Sequence, residues 1–281
     1  MNEPFSALKH VLDVLKIGAG DTVYVASDIT LLLNVTRKKY GIRTTEERNS
    51  FLHEFIDTLK DIITEQGTLL FPAFTWEPCR SAAFDVRFTK SEVGALNNWV
   101  LQHCPEFMRT AHPMYSFLVW GRDAEKLVAM DNESGWGVDS PFGYFHREHA
   151  KMLLLDVHLK QCYTFMHYVE EQIHVPFRYM KSFRMSYIDR NGAESSRCYR
   201  MFVRDLAIDS DPFEPDEFLL KSGIMVEGMW LDIPVRVIDM AESYSIYEND
   251  LLNNKGKMCY IFSGYELDWE NKQTHPDDLN H

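Results

Sequence analysis

Apolar residues recur along this chain in short bursts of two kinds. Leu8, Val11, Leu12 and Leu15 fall at helical spacing, and Asp21 to Ala26 then gives a brief run with strand character. Thr44 and Glu47 have the spacing of a capping box, and Phe51, Phe55, Leu59 and Ile62 continue a helix that Gly67 ends. The segments that follow alternate: strand at 68–71, helix at 91–102, strand at 117–120, helix at 124–130, strand at 151–155. Alternation of this kind predicts a layered α/β/α sandwich with helices on both faces of a mixed central sheet. In the C-terminal third, 185–189 and 197–203 flank Asn191-Gly192, a hairpin-turn dipeptide, which predicts an antiparallel addition to that sheet.

No Pro/Gly/Ser-rich tract divides the chain, so one domain over residues 1–281 is expected, with a polar C-terminal tail at about 266–281. The start lacks a basic segment followed by a long apolar core, and no apolar run reaches membrane-spanning length. Five cysteines without a C-x-x-C pair disfavour a disulfide framework or a structural zinc site. A reducing cytoplasm and no membrane association are therefore expected. The formal charge of -13 opposes binding to nucleic-acid phosphates and suits a cationic ligand. Oligomeric state is left open, a homo-oligomer included.

Candidate chemistry concentrates in QCYTFMHYVEEQIHVPF, residues 161–177. Thr164, His167 and Glu170 form T-x-x-H-x-x-E, which puts three side chains on one helical face. Glu170 can then accept from one ring nitrogen of His167 and leave the other for a substrate, the arrangement of a general base with its orienting group. A histidine that merely packs or caps a half-buried helix fits the same spacing.

Upstream, Phe84-Asp85 with Thr89, Ser91 and Gly94 gives F-D-x-x-x-T-x-S-x-x-G; Arg109 to Phe117 reads RTAHPMYSF; Gly137 to Gly143 reads GVDSPFG. Together with T-x-x-H-x-x-E, in this order, these segments resemble the aminoglycoside 3-N-acetyltransferase family over roughly residues 20–185. The resemblance implies transfer of the acetyl group of acetyl-coenzyme A (acetyl-CoA) to an amine of an amino sugar, either a free aminoglycoside or a nucleotide-linked sugar. It implies no metal. It places His167 at the catalytic histidine and Glu170 at its acidic partner. Ser27 matches a serine in a loop beside the coenzyme, and Ser91, Arg109, His112 and Ser116 match segments that line the coenzyme-binding side. There are departures: Ser27 to Leu33 lacks the glycine that commonly ends the family's first loop, and Val86 and Lys90 stand where the family has prolines.

Other functions remain compatible with the residues alone. His167, Glu170 and His174 on successive helical turns could ligate a metal in a hydrolase, and a noncatalytic ligand-binding relative would keep the same fold. Cys162 lies five residues before His167 and hence off its helical face, so direct transfer is expected rather than an acyl-cysteine intermediate.

Overall fold

The computed structural model describes residues 2–80, 82–212, 216–263 and 266–272. Helix α1 (Asn2–Val14) leads into strand β1 (Thr22–Ser27), and α2 (Thr30–Tyr40) and α3 (Thr45–Ile63) precede β2 (Thr68–Pro72). After β3 (Phe84–Asp85) come α4 (Ala95–His103), β4 (Met108–Arg109), β5 (Phe117–Gly121), α5 (Ala124–Val128), α6 (Pro141–Arg147) and β6 (Lys151–Leu155). The expected capping box is present at Thr44 and Glu47, and Ser140 caps α6 with Pro141 in its first turn. Helix α2 had no counterpart in the sequence pattern. Its consecutive leucines and basic end hide the periodicity, since only Leu32 and Thr36 are buried.

The chain continues through α7 (Leu159–Cys162), α8 (Phe165–Ile173), β7 (Arg178–Ile188), β8 (Glu194–Arg204), β9 (Asp209–Pro212) and α9 (Asp216–Ser222). It closes with β10 (Met225–Trp230), β11 (Ile233–Asp239), α10 (Met240–Asn253) and β12 (Tyr260–Ser263).

Seven strands form the central sheet in the order β10-β11-β6-β1-β2-β5-β4. The three in the middle, β6, β1 and β2, run parallel; the pairs on either side are antiparallel. Alternation along each strand divides the core in two. Val23, Val25, Leu69, Phe71, Leu153 and Leu155 pack with Leu8 and Leu12 of α1 and Phe51, Phe55 and Leu59 of α3. Their neighbours Tyr24, Ala26, Leu70, Met152 and Leu154 face the other way, toward Phe142 and Phe145 of α6, Val169 of α8 and Tyr244 and Leu251 of α10. This is the expected sandwich, built by the two-residue period of strands.

The Asn191-Gly192 hairpin also forms, with longer arms than its apolar pattern indicated. Asp189 Oδ1 accepts from the N–H groups of Asn191 and Ala193, and Gly192 takes φ +84°. The hairpin joins β3 in a separate three-stranded sheet; the antiparallel extension of the central sheet in the C-terminal third is β11–β10. Met185, Tyr187, Tyr199 and Phe202 turn this small sheet onto the second core. Of the tail at about 266–281, residues 273–281 lie outside the described residues; Trp269 packs against Phe177 and Phe262.

Candidate active site

Parallel strands end together, and their C-terminal edge is where open α/β sheets bring loops to one place. Ser27 closes β1 in register with Leu155, the last residue of β6. From that edge the chain turns into α7 and then α8, so T-x-x-H-x-x-E is delivered beside the parallel core. Thr164 stands at the N-cap position of α8, and the helix ends at His174, whose left-handed φ of 57° stops it.

Glu170 is fully enclosed, whereas the His167 side chain is about a third exposed (32%). Their separation is 2.7 Å, from His167 Nδ1 to Glu170 Oε2. Glu170 is held from two further directions. Tyr260 of β12 donates its hydroxyl to Oε1, and Arg178, the first residue of β7, sets Nε 2.7 Å from Oε2 as an ion pair. Burial would raise the Glu170 carboxyl, but Arg178, His167 and Tyr260 outweigh it and the pKa is lowered, so the carboxylate stays charged. The imidazole of His167 is shifted down, by burial first and Arg178 second, against the pull of Glu170. At neutral pH this leaves an unprotonated ring, the form a base requires. The ring also meets Trp136 edge to face, with centroids 4.9 Å apart.

Two cavities adjoin these residues. One, of about 410 Å³, is lined by Leu159, Cys162, Met166, His167, Tyr247 and Tyr260, with Lys160, Arg178 and Arg204 contributing cations. The other, of about 960 Å³, carries the carboxylates of Asp131, Glu133, Asp139 and Glu171 beside Arg178, Arg200 and Lys272. Arg178 is on the wall of both. Glu171 is buried against Ser134, whose hydroxyl lies 2.7 Å from each carboxylate oxygen; burial raises its pKa.

The five residues matched to the coenzyme side are placed differently. None lines the cavity beside His167. Arg109 is buried, donates to Ser116 Oγ, Thr89 O and Ala73 O at 3.0, 2.5 and 2.6 Å, and covers the ring of Phe84. Ser116 donates to the same Ala73 carbonyl, and the Ser91 hydroxyl lies 2.8 Å from Val93 O. These three knit the strand-end loops together. His112 is enclosed against Tyr115 and Tyr199, receives the Tyr115 N–H at Nδ1 and has a pKa lowered by burial to about 4. Ser27 differs from the others: its hydroxyl is enclosed and meets no hydrogen-bond partner. Asp85 acts as a loop acceptor, taking bonds from the backbone and side chain of Arg87.

His174 faces the larger cavity from the end of α8 and does not join His167 and Glu170; among the described residues no group of three His, Cys, Asp or Glu could hold a metal ion. Cys162 ends α7 and does reach the smaller cavity, but burial followed by Asp216 pushes its thiol up to about 12, far from a reactive thiolate. Arg178 and Tyr260 escaped sequence reasoning. Tyr260 lies 90 positions from Glu170, and no spacing links either Arg178 or Tyr260 to the helix motif. Among the described residues, no helix is long and apolar enough to cross a membrane.

Comparisons with known proteins agree with this fold. The SPbeta prophage-derived aminoglycoside N(3')-acetyltransferase-like protein YokD of Bacillus subtilis (strain 168) is 28% identical over 122 residues, a stretch spanning 36% of this chain and only 45% of that relative. The crystal structure of YokD superposes with a TM-score of 0.68 at 21% identity, covering 90% of this chain and 94% of that one. A binary complex of AAC-IIIb with CoASH gives 0.70 at 20% identity, with 89% and 96% covered, and AAC-VIa bound to sisomicin gives 0.70 at 20%, with 89% and 97% covered. These structures share the fold. The family model for aminoglycoside 3-N-acetyltransferase matches residues 42–251, most of the sequence, and the chain belongs to that family.

Proposed function

We propose that this protein transfers the acetyl group of acetyl-CoA to an amine of a cationic amino sugar, with His167 as general base and Glu170 as its orienting partner. The observation that carries this assignment is the pair itself: an enclosed carboxylate on Nδ1 of a histidine that lines a cavity, with no described residue bonded to Nε2. The substrate amine must lose a proton to become a nucleophile. For an amine of pKa about 8, about a tenth is neutral at pH 7, so His167 has a proton to take either directly or through water. The amine then forms the new C–N bond at the thioester carbonyl, the C–S bond breaks, and the second proton that the nitrogen sheds passes to the departing sulfur, so coenzyme A leaves as thiol. Glu170 steadies the imidazolium meanwhile. With Cys162 held as a thiol, transfer proceeds through a ternary complex.

The two cavities differ in their balance of charge in a way that suits the two substrates. Lys160, Arg178 and Arg204 beside His167 fit the polyanionic coenzyme, and the unpartnered Ser27 hydroxyl at the same sheet edge supplies a further donor. In the larger cavity four carboxylates stand beside three cations, with Asp131 and Glu133 paired to Arg197 and Arg200, and the acidic excess suits an ammonium-bearing acceptor, a free aminoglycoside over a diphosphate-linked sugar. The AAC-IIIb complex contains CoASH and the AAC-VIa complex sisomicin, ligands of these two kinds.

The test is release of coenzyme A thiol with a panel of aminoglycosides and nucleotide-linked amino sugars. Release is expected with aminoglycosides; turnover of the nucleotide-linked sugars alone would reverse the acceptor assignment, and no turnover or coenzyme binding with either class would remove the function.

A further inference from the structure

One nitrogen in the site faces a conflict. His167 Nδ1 lies 2.7 Å from Glu170 Oε2 and 2.9 Å from Arg178 Nη2. Glu170 can only accept there, so it requires a proton on Nδ1. Arg178 can only donate, so it would require a lone pair on the same atom. The two bonds belong to opposite tautomers of the ring. They have opposite consequences: with the proton on Nδ1 the Nε2 lone pair is free to act as base, whereas with Nδ1 accepting from Arg178 the proton sits on Nε2 and the ring cannot take one from a substrate.

Charge decides between them. Both bonds are charge-assisted, but an enclosed carboxylate oxygen left without the ring N–H would be the costlier loss, because Arg178 keeps other acceptors if Nη2 gives up the ring. Arg178 has other work within the same reach: Nη1 donates to Phe202 O at 3.0 Å, and Nε pairs with Glu170 Oε2. Nη2 then presses positive charge against the ring without bonding it. The guanidinium is held between α8 and β8 with its side chain nearly enclosed, so this contact is fixed in place.

We infer that Arg178 is a positioning residue for His167: by holding Glu170 as a carboxylate while placing a cation against Nδ1–H, it fixes the tautomer with the base nitrogen toward the cavity and opposes premature protonation of the ring. This role rests on His167 being the base, as proposed above. The charged and titratable groups around the ring come from every side: Glu170 on α8, Arg178 on β7, Arg204 on β8, Tyr260 on β12 next to Cys259, Tyr247 on α10, Lys160 and Cys162 on α7, and Tyr163 after it. Of these, Arg178 and Glu170 are the ones acting directly on the imidazole, and they act in opposite senses.

Nuclear magnetic resonance titration of the His167 ring in the free protein tests this without turnover. In wild type the ring nitrogens are expected to report the proton on Nδ1; a proton on Nε2 would overturn the proposal without any variant. Arg178→Gln removes the cation, and the ring, or the His167–Glu170 pair as a unit, should then bind its proton at a pH about one unit or more higher. Arg178→Lys keeps the charge and should stay near wild type, and it serves alone if the glutamine variant does not fold. An Arg178→Gln midpoint equal to wild type, or an Arg178→Lys midpoint shifted upward despite the retained charge, would also overturn it. Because the titration needs no acceptor, a protein that fails to acetylate any amine would still report whether Arg178 sets this ring.

Discussion

Arg109 and Arg178 are both enclosed guanidinium groups, each beside a motif residue, and the protein treats them in opposite ways. Arg109 is surrounded by acceptors that the fold itself supplies: two backbone carbonyls, a serine hydroxyl and an aromatic face. Each of its three guanidinium nitrogens has an acceptor, and burial without a carboxylate partner lowers its pKa to about 10. Arg178 shares one carboxylate with a histidine, has its Nε close to that carboxylate as an ion pair but outside hydrogen-bond geometry, and borders two cavities. Saturated polar groups fix a structure. Unsaturated ones, kept next to open volume, hold an arrangement that a substrate can complete.

If that contrast is right, substitutions on the two sides should fail differently. His167→Ala should lower turnover by about 10²- to 10⁴-fold at neutral pH with the melting temperature and coenzyme affinity nearly unchanged. Higher pH should partly restore it, since more of the acceptor amine is then already neutral. Wild-type turnover in this variant, or a loss explained entirely by unfolding, would return His167 to a packing role.

Arg109→Met should show the reverse. It strands the carbonyl of Thr89 and takes from Ala73 O one of its two donors, and the cost should be about 3 kcal/mol of stability, read as a shifted denaturation midpoint. The folded fraction should keep its kcat, measured at low temperature. A fall in kcat or coenzyme affinity without loss of stability would show that Arg109 serves the coenzyme directly.

The boundary between the two regions also explains what the sequence could reveal. Strand β6 appeared at its observed limits, and the cap at Thr44 was evident, because each depends on residues within a few positions of one another. The His167–Glu170 pair was legible for the same reason, being one helical turn. Arg178 and Tyr260 were not, because they reach Glu170 through the path of the whole chain, and a single arginine or tyrosine carries no periodic signal. The segments containing Ser91, Arg109, His112 and Ser116 were visible as motifs, yet a motif does not distinguish a residue that binds a ligand from one that binds the loop holding the ligand. Only the hydrogen-bond partners do that.

His112 offers a smaller effect on the saturated side. Its folded pKa of about 4 lies below the ordinary value of 6.5, so the folded protein binds fewer protons than the unfolded chain in that interval. Above pH 6.5 the residue contributes no pH dependence. As pH falls through 6.5 the unfolded state is favoured, and the loss grows to about 3 kcal/mol near pH 4, where it levels off. Denaturant midpoints should therefore decline across this window, and His112→Gln should flatten that part of the profile. An unchanged slope in the variant would place the acid sensitivity elsewhere.

The smallest effect should come from Ser27, and it bears most directly on the comparison because its residue was matched to the coenzyme side yet its hydroxyl is unsaturated like the groups near His167. An enclosed hydroxyl without a partner contributes nothing to stability that alanine would lose, so Ser27→Ala should melt at or slightly above the wild-type temperature. If acetyl-CoA completes the bond, the variant should bind it about 3- to 10-fold more weakly by calorimetry, the loss of one neutral hydrogen bond. His167→Ala and Ser27→Ala would then separate cleanly, the first in kcat and the second in coenzyme affinity. A Ser27→Ala protein that melts several degrees lower with unchanged affinity would instead put Ser27 with Arg109, among the groups that hold the sheet edge together.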